Sequence, residues 1–237
     1  MSAGAATGAL PDGSTAAAWV DRWRDLMAGW LPEQKQVWAQ VGDFVAEATD
    51  GAPMGLGDLG CGPATMTCVL ANRFPVAEVW GVDADRAALQ LAALVAPGRV
   101  RTIEHDLRGA GWSGPLPGPA DAVVSCCALH MVGAAGYRRV AGEAARVLPP
   151  GGLFVDVDLH GDAEPARPAV PGADSVGRYA ADLSRALGRL SPVDRNGQAD
   201  PQTVPPGDRA GALLAAGFSH VSIQAPSPRC SLLVARR

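Results

Sequence analysis

The feature that most constrains the fold is an alternation of short apolar runs with amphipathic segments between about residues 54 and 158. Such alternation is typical of repeated βα units, which build a parallel sheet covered by helices. The predicted strands are Met54–Leu59, Ala77–Val82, Arg99–Ile103, Ala120–Cys126 and Leu153–Val157. The predicted helices of this region span about residues 64–73, 86–96 and 136–148.

The segments outside this alternation complete the predicted domain organisation. Residues 1–15 are small and polar and predict a disordered tail, and residues 16–50 predict two amphipathic helices that form a lid. The main domain covers residues 51–237, and residues 161–206 interrupt it with a Pro-rich insertion that contains one helix candidate and predicts a second lid element. A helix at 213–217 and strands at 220–224 and 230–235 end the chain. The prediction is an α/β fold with seven strands, mostly parallel, and helices on both faces.

A glycine-rich loop joins the first predicted strand to the first helix of the alternation. It reads Asp58-Leu59-Gly60-Cys61-Gly62-Pro63-Ala64, and its glycines allow a ligand to approach the backbone closely. The dinucleotide fingerprint requires a third glycine three residues after Gly62, where this chain has Thr65, so a pyrophosphate ligand is disfavoured. S-adenosylmethionine has no phosphate, and the acid at Asp58 suits its ammonium group.

Two further acids stand at the ends of the next two predicted strands. Asp83 follows the loop by roughly 20 residues, the spacing at which a carboxylate meets ribose hydroxyls. Asp106 follows the third strand and is placed to accept a hydrogen bond from an adenine amine. Acids at three successive strand ends are a more specific signal of cofactor binding than any one of them. Acids at such positions also cap helices, as Asp85 is expected to do.

With these motifs the chain resembles a class I S-adenosylmethionine-dependent methyltransferase of the small-molecule type, whose fold is Rossmann-like. The resemblance covers about half the chain and includes the segments Asp121-Ala-Val-Val-Ser-Cys-Cys-Ala-Leu-His-Met and Arg146-Val-Leu-Pro-Pro-Gly-Gly. Ala64 departs from it, because many relatives have a third glycine there. The resemblance implies that Gly60 and Gly62 approach the methionine part, and that Ser125 and Cys126 line the floor beside the sulfur. The predicted cofactor-binding residues are Asp58, Gly60, Cys61, Gly62, Asp83, Ala84, Asp106, Leu107, Ser125 and Cys126.

Two histidines are candidate catalytic bases. Methyl transfer is an in-line displacement, so the protein chiefly aligns the reactants and removes a proton where one is acidic enough. His130 follows the fourth strand and His160 the fifth, outside the carboxyl ends of strands, where open α/β sheets bind ligands. Packing is the alternative role for both. The N-terminal tryptophans likewise predict either a helix core or an aromatic wall for a substrate.

Charge and cysteine usage limit the partners and the compartment. A net charge of −4 argues against a dedicated nucleic-acid binder, and the Asn/Asp-Pro-Pro-Tyr/Phe motif of nucleic-acid methylation is replaced by residues 125–128. Five cysteines without a C-x-x-C pair predict neither a disulfide framework nor a metal site, and they fit the cytoplasm. No secretory leader or membrane span is predicted, and the oligomeric state is left open.

The leading hypothesis is methyl transfer from S-adenosylmethionine to O, N or C of a small metabolite in bacterial specialised metabolism. One alternative keeps the same cofactor pocket for non-methylating chemistry, or as a subunit of a partner enzyme, because a fold does not fix a function. A nicotinamide-dependent oxidoreductase is the other alternative, and the missing third glycine makes it weaker.

Overall fold

The computed structural model describes residues 10, 14–159, 174–188, 204–227 and 229–237. Its centre is a seven-stranded sheet in the order β3-β2-β1-β4-β5-β7-β6. The first five strands are parallel, while β7 runs antiparallel to β5 and β6 antiparallel to β7. The strands are β1 Gly55–Leu59, β2 Glu78–Asp83, β3 Val100–Glu104, β4 Ala122–Cys126, β5 Leu153–Leu159, β6 His220–Ser227 and β7 Cys230–Arg236. The predicted mostly parallel, Rossmann-like sheet of seven strands is confirmed.

Helices cover both faces of this sheet, as predicted. One face packs against α2 and α3, and the other against α5 and α7, each through its own cluster of buried apolar side chains. The helices are α1 Ala16–Ala28, α2 Gln34–Ala48, α3 Thr65–Arg73, α4 Arg86–Val95, α5 Gly133–Val147, α6 Asp174–Ala186 and α7 Pro206–Ala215, and a short 3-10 helix spans Leu129–Val132. None of the helices in the described ranges is long and apolar enough to cross a membrane.

The last helix lies earlier in the chain than the sequence predicted. The prediction placed it at residues 213–217, whereas α7 begins at Pro206 and ends at Ala215. Proline at the first helical position has a fixed φ suited to a helix start, and its missing N–H would be unpaired there in any case. The apolar pattern near Leu213 therefore belongs to the second half of the helix. Most of the predicted insertion, and the tail before Leu10, lie outside the described residues.

A buried ion pair fastens α7 to the sheet. Arg209 on α7 donates from Nη1 to Oδ2 of Asp156 on β5 at 2.7 Å, and both side chains are almost completely buried. The hydroxyl of Tyr137 on α5 donates to the same carboxylate oxygen at 2.9 Å, and Arg209 also donates to Ser231 on β7. Because a buried carboxylate is costly without partners, this network specifies how α5 and α7 sit on the sheet.

Candidate functional site

The glycine-rich loop turns sharply at the carboxyl end of β1. Gly60 and Gly62 have φ values of 73° and 53°, in the left-handed region that favours glycine. The backbone N–H groups of Gly60 and Cys61 donate to the carbonyl of Val82 at 2.8 and 3.1 Å, which ties the loop to β2. A Cβ added at Gly60 would lie 2.2 Å from the Cβ of Ala128, so a larger residue at this position would force the neighbouring chain to shift.

Asp83, the predicted ribose ligand, also holds this loop in place. One carboxylate oxygen accepts from the N–H of Gly62 at 2.8 Å, and the other accepts from the N–H of Asp85 at 2.8 Å. Asp85 in turn caps α4 by accepting from the N–H groups of Ala87 and Ala88, as expected from its position. The Asp83 carboxylate thus links the end of β2 to the loop on the neighbouring strand.

Asp58 is a buried acid directly behind the loop. Its side chain is 2% exposed, and it accepts a hydrogen bond from the Thr67 hydroxyl at 2.6 Å. Desolvation raises the pKa of Asp58 to about 7, the Thr67 hydrogen bond opposes that shift, and the negative charge of Asp83 adds to it. A carboxylate poised to ionise near neutral pH is suited to pairing with a cation.

Asp106 and Leu107 lie after β3. The Asp106 carboxylate pairs with Arg108 at 2.7 Å, both side chains are about half exposed, and this hydrogen-bonded partner lowers the pKa of Asp106. Leu107 is buried and joins the core beneath α5. Asp106 is therefore an ionised, accessible acceptor, whereas Leu107 is a core residue next to it in the chain.

Ser125 and Cys126 end β4 in different surroundings. Ser125 is completely buried, and its hydroxyl donates to the carbonyl of Leu59 on β1 at 2.8 Å. The thiol of Cys126 is partly accessible and lines the same cavity as the glycine-rich loop, as does Cys127, whose φ is 54°.

That cavity is small, with a volume of about 60 Å³. It brings together five of the predicted residues, while Asp83, Ala84, Asp106, Leu107 and Ser125 are not among its walls. The predicted residues that line it are Asp58, Gly60, Cys61, Gly62 and Cys126. The remaining walls, apart from the thiol of Cys127, come from α1, α2, the turn between them, and the start of α3. These walls are Trp23, Met27, Leu31, Gln34, Trp38, Thr65 and Met66.

The N-terminal tryptophans lie in two kinds of surroundings. Trp19 is buried in a core cluster with α4 and α6, Trp38 is buried in the cluster beneath α2 and also lines the cavity, and Trp23 lines the cavity. Helical spacing alone could not separate the two roles, because the cavity lies where α1 and α2 meet the loop and not along one face of a single helix.

His130 and Asp158 form a hydrogen-bonded pair at the ends of β4 and β5. Nδ1 of His130 lies 2.7 Å from Oδ1 of Asp158, and the backbone N–H of His130 donates to Oδ2 of the same residue at 2.6 Å. Burial of the imidazole opposes its protonation, but the charge and hydrogen bond of Asp158 outweigh this and raise the pKa of His130. Sequence reasoning missed Asp158, although the alternation of Asp156 and Asp158 at the end of an apolar strand was visible. His160, the second predicted base, lies outside the described residues.

Metal binding has no evident place in the described part of the chain. No group of three or more His, Cys, Asp or Glu side chains comes together there in a way that could hold an ion. The five cysteines are all described, and all are free thiols.

Comparison with known sequences relates the central part of the chain to one enzyme class. Residues 57–152 match the family described as "Methyltransferase domain". A trans-aconitate 2-methyltransferase of Paracidovorax citrulli is 34% identical over 153 residues, which are 59% of this chain and 56% of that protein. Its counterpart in Acidovorax sp. is 32% identical over 112 residues, 47% of this chain and 41% of that protein. The chain thus spans about half the length of the curated relatives that it matches.

Comparison with solved structures shows the same fold over most of the chain. DesVI of Streptomyces venezuelae aligns with a TM-score of 0.60 at 16% identity, covering 94% of this chain and 98% of that one. CalS10 of Micromonospora echinaspora, an amino pentose methyltransferase solved with S-adenosylmethionine bound, aligns with a TM-score of 0.57 at 19% identity, covering 85% of this chain and 91% of that one. At these identities the likeness concerns the fold.

Proposed function

Residues 57–152 form a methyltransferase domain on the fold of the class I S-adenosylmethionine-dependent methyltransferases, and on that premise we propose that the chain methylates a small molecule. When bound, S-adenosylmethionine supplies a methyl group on a sulfonium, which becomes a neutral thioether as the acceptor atom takes the methyl group and loses a proton. The observation that carries the proposal is the cavity in which buried Asp58 lies beside Gly60 and Gly62. The class resemblance stated from the sequence is confirmed.

The residues around the cavity fit this cofactor. Asp58 matches a cationic ammonium, because such a partner would compensate the burial that raises its pKa. The close backbone turn at Gly60 and Gly62 leaves room for the methionine part. We propose that Asp83 and Ala84 face the ribose, since both are partly exposed at the end of β2. We propose that Asp106 and Leu107 hold the adenine and that Cys61 and Cys126 form the wall near the sulfur, with Ser125 buried behind that wall on the carbonyl of Leu59.

His130 is the proposed general base. Asp158 holds its Nδ1 and its backbone N–H, which fixes the ring and leaves Nε2 as the nitrogen that can take a proton. No partner of Nε2 occurs in the described ranges. His160 remains a proposed second base, and residues 16–50 and 161–206 remain proposed lid segments.

The acceptor is proposed to be a small metabolite of specialised metabolism, methylated at O, N or C in the cytoplasm. The free thiols fit a reducing compartment. The relatives' name raises a second candidate, a tricarboxylate such as trans-aconitate. Carboxylates are held by Arg, Lys or His⁺, and none of these is among the described residues that line the cavity.

The test is calorimetric titration with S-adenosylmethionine, S-adenosylhomocysteine and NAD, followed by turnover with a broad set of acceptors. We expect the first two to bind and NAD not to bind. Binding of NAD alone would sink the proposal. Binding of S-adenosylhomocysteine without turnover of any acceptor would favour the alternative, a fold used for non-methylating chemistry or as a partner's subunit.

A matched pair of variants locates the cofactor. Asp83→Asn should weaken S-adenosylhomocysteine binding by about tenfold or more, because charged hydrogen bonds are lost. Asp121→Asn is the control, because Asp121 also accepts from two backbone N–H groups, those of Met54 and Gly55, at the opposite end of the sheet. Equal affinities of the two variants would mean that the ribose does not lie at Asp83.

A further inference from the structure

The loop that follows β3 is held on α5 by a buried carboxylate. Glu143 of α5 is 2% exposed, and its Oε1 accepts a hydrogen bond from the backbone N–H of Gly111 at 2.6 Å. Its Oε2 accepts from both the backbone N–H and the hydroxyl of Ser113, at 3.0 and 2.8 Å. Burial disfavours the ionised form, but these hydrogen bonds and the charge of Arg146 outweigh it and lower the pKa of Glu143. One ionised side chain therefore holds both ends of the segment 111–113.

A second side chain of α5 holds the same loop nearer to β3. Arg139 lies one helical turn before Glu143 and donates from Nε to the carbonyl of Arg108 at 3.2 Å, and its Nη2 donates to the same oxygen. Side chains four residues apart lie on the same side of a helix, so one face of α5 makes both contacts. Between the two contacts Trp112 is completely buried in the core cluster beneath α5. The loop is therefore held on α5 on both sides of Trp112.

Arg108 extends this attachment to Asp106, the acid proposed to meet the adenine. The backbone N–H of Arg108 donates to Oδ1 of Asp106 at 2.9 Å, and its Nη2 donates to Oδ2 at 2.7 Å. Its Nε lies 3.0 Å from both oxygens. A carboxylate can accept about four hydrogen bonds, so these three N–H groups orient Asp106 and, counted over the described residues, leave about one acceptor position for a ligand.

The orientation of this carboxylate decides which purine the site accepts. The exocyclic amine of adenine donates a hydrogen bond, whereas hypoxanthine has a carbonyl oxygen on the same carbon. A carboxylate held in place accepts from the amine and repels the carbonyl oxygen, so the site rejects a base that lacks the donor. A carboxylate that can withdraw from the base discriminates less, because selective contacts depend on the residues that hold the contacting group. The residues that hold the loop are therefore expected to affect selectivity.

We propose that Arg139 and Glu143 are positioning residues for the cofactor. Through the loop after β3 they hold Asp106 where its remaining acceptor position receives the amine of the adenine. This inference rests on the proposed function, because it requires an adenosyl cofactor with its adenine at Asp106. It adds two side chains of α5, a helix that carries none of the residues proposed to contact the cofactor, and it gives them a part in the selectivity for adenine.

The test titrates three ligands into the full chain. S-adenosylhomocysteine carries the adenine amine, S-inosylhomocysteine has a carbonyl in its place, and S-ribosylhomocysteine has no purine. The unaltered protein should bind S-adenosylhomocysteine about tenfold or more tighter than S-inosylhomocysteine, because only the first supplies a donor to Asp106. Absence of S-adenosylhomocysteine binding would defeat the proposed function and this inference with it. Binding without a preference over S-inosylhomocysteine would overturn this inference alone.

Two adjacent arginines of α5 form a matched pair of variants. Arg139→Gln releases the carbonyl of Arg108 and should lower the preference for S-adenosylhomocysteine over S-inosylhomocysteine about threefold or more. The affinity for S-ribosylhomocysteine should stay unchanged, because that ligand does not reach Asp106. Arg138→Gln removes the same charge from another exposed side chain of the helix and should leave the preference unchanged. Equal preferences of these two variants would overturn the inference.

Glu143→Gln tests the buried end of the attachment. It sets an amide NH₂ group against the N–H groups of Gly111 and Ser113, so it should lower the same preference. A purely structural role would reduce stability in urea unfolding and weaken the three ligands in equal proportion, which leaves the preference unchanged. A folded Glu143→Gln protein with the preference of the unaltered chain would therefore overturn the inference. If this variant does not fold, the arginine pair alone decides.

Discussion

At the scale of single residues, the loop after β1 depends on three residues in the left-handed region, and only two of them are glycine. Ala64 has a φ of 61° and is completely buried where α3 begins. An L residue with a Cβ pays about 1 kcal/mol or more in that conformation. In the sequence, Ala64 departs from the glycine that many relatives have at this position, and in the structure the backbone still makes the same left-handed turn there.

Gly60 and Gly62 should respond differently to the same substitution. Gly60→Ala should destabilise the fold by about 2 kcal/mol or more, because the new methyl group overlaps Ala128 in a left-handed backbone. Gly62→Ala should cost only about 1 kcal/mol, since the nearest atom is 3.7 Å away on Trp23, yet it should weaken cofactor binding because the methyl group enters the cavity. Urea unfolding and titration of each variant measure the two effects. Equal losses of stability would contradict the clash at Ala128.

Asp58 should release a proton when the cofactor binds. With a pKa of about 7 in the folded protein, against about 3.9 in model peptides, it is roughly half protonated at neutral pH. A bound ammonium would lower this pKa and expel about half a proton at pH 7. Calorimetry in two buffers of different ionisation enthalpy measures the release, and Asp58→Asn should abolish it.

The same shift predicts how stability depends on pH without ligand. Between about pH 4 and 7 the folded state holds a proton on Asp58 that the unfolded state has lost, so this group makes the protein more stable as pH falls through that window. Asp58→Asn should flatten that part of the curve, with Asp121→Asn as control. In the calorimetric experiment on proton release, binding heats that do not vary with the buffer would show that no cation pairs with Asp58.

At the scale of elements, strands were easier to predict than the contacts between their ends. The predicted strands of the parallel part agree with the observed ones within about two residues, because apolar runs bounded by glycine and polar residues define both ends. The pairing of β4 with β5 could not be read from the chain, so the partner of His130 was missed. The walls that α1 and α2 give to the cavity were missed for the same reason: tertiary contacts decide which side of an amphipathic helix meets a ligand.

The pair formed by His130 and Asp158 should appear in the pH dependence of turnover. A base must be neutral, and Asp158 raises the pKa of His130, so kcat should rise with pH through a value above the ordinary 6.5 or so. Asp158→Asn should move this rise in kcat to lower pH, because burial of the imidazole then lowers the pKa of His130 without the compensating charge of Asp158. His130→Gln should remove the pH-dependent rise and lower kcat by about 10²-fold or more. An unchanged profile in both variants would leave His130 with a packing role.

The ion pair between α7 and β5 should be a strong determinant of stability. Arg209→Met leaves the buried carboxylate of Asp156 without its cation, which should cost about 3 to 5 kcal/mol in the free energy of unfolding. Burial, partly offset by Arg209, raises the pKa of Asp156 to about 6, so the loss should be smaller at pH 5, where the acid protonates, than at pH 8. Adding Asp156→Leu should restore most of the stability. Urea unfolding at the two pH values tests this, and an additive double variant would contradict it.

At the scale of the whole molecule, the cavity joins parts of the chain that otherwise pack in separate clusters. α1 packs on α4 and α6, where the Tyr179 hydroxyl donates to the carbonyl of Trp19 at 3.0 Å and Arg22 pairs with Asp182 at 2.7 Å. α2 packs on the sheet instead. At the cavity, α1, α2, the glycine-rich loop and the end of β4 meet. A ligand in the cavity therefore contacts segments that belong to separate packing clusters, namely α1 and α2.

Cofactor binding should therefore stabilise the molecule as one unit. A ligand that binds only the folded state adds about 2.7 kcal/mol at a concentration 100 times its Kd. For a chain of this length, that corresponds to a rise in Tm of about 5 to 10 °C. Scanning calorimetry with S-adenosylhomocysteine should show a single transition moved by this amount, because all walls of the cavity are lost together on unfolding. NAD should leave Tm unchanged. A transition that splits in two on adding S-adenosylhomocysteine would mean that α1 and α6 unfold independently of the bound site.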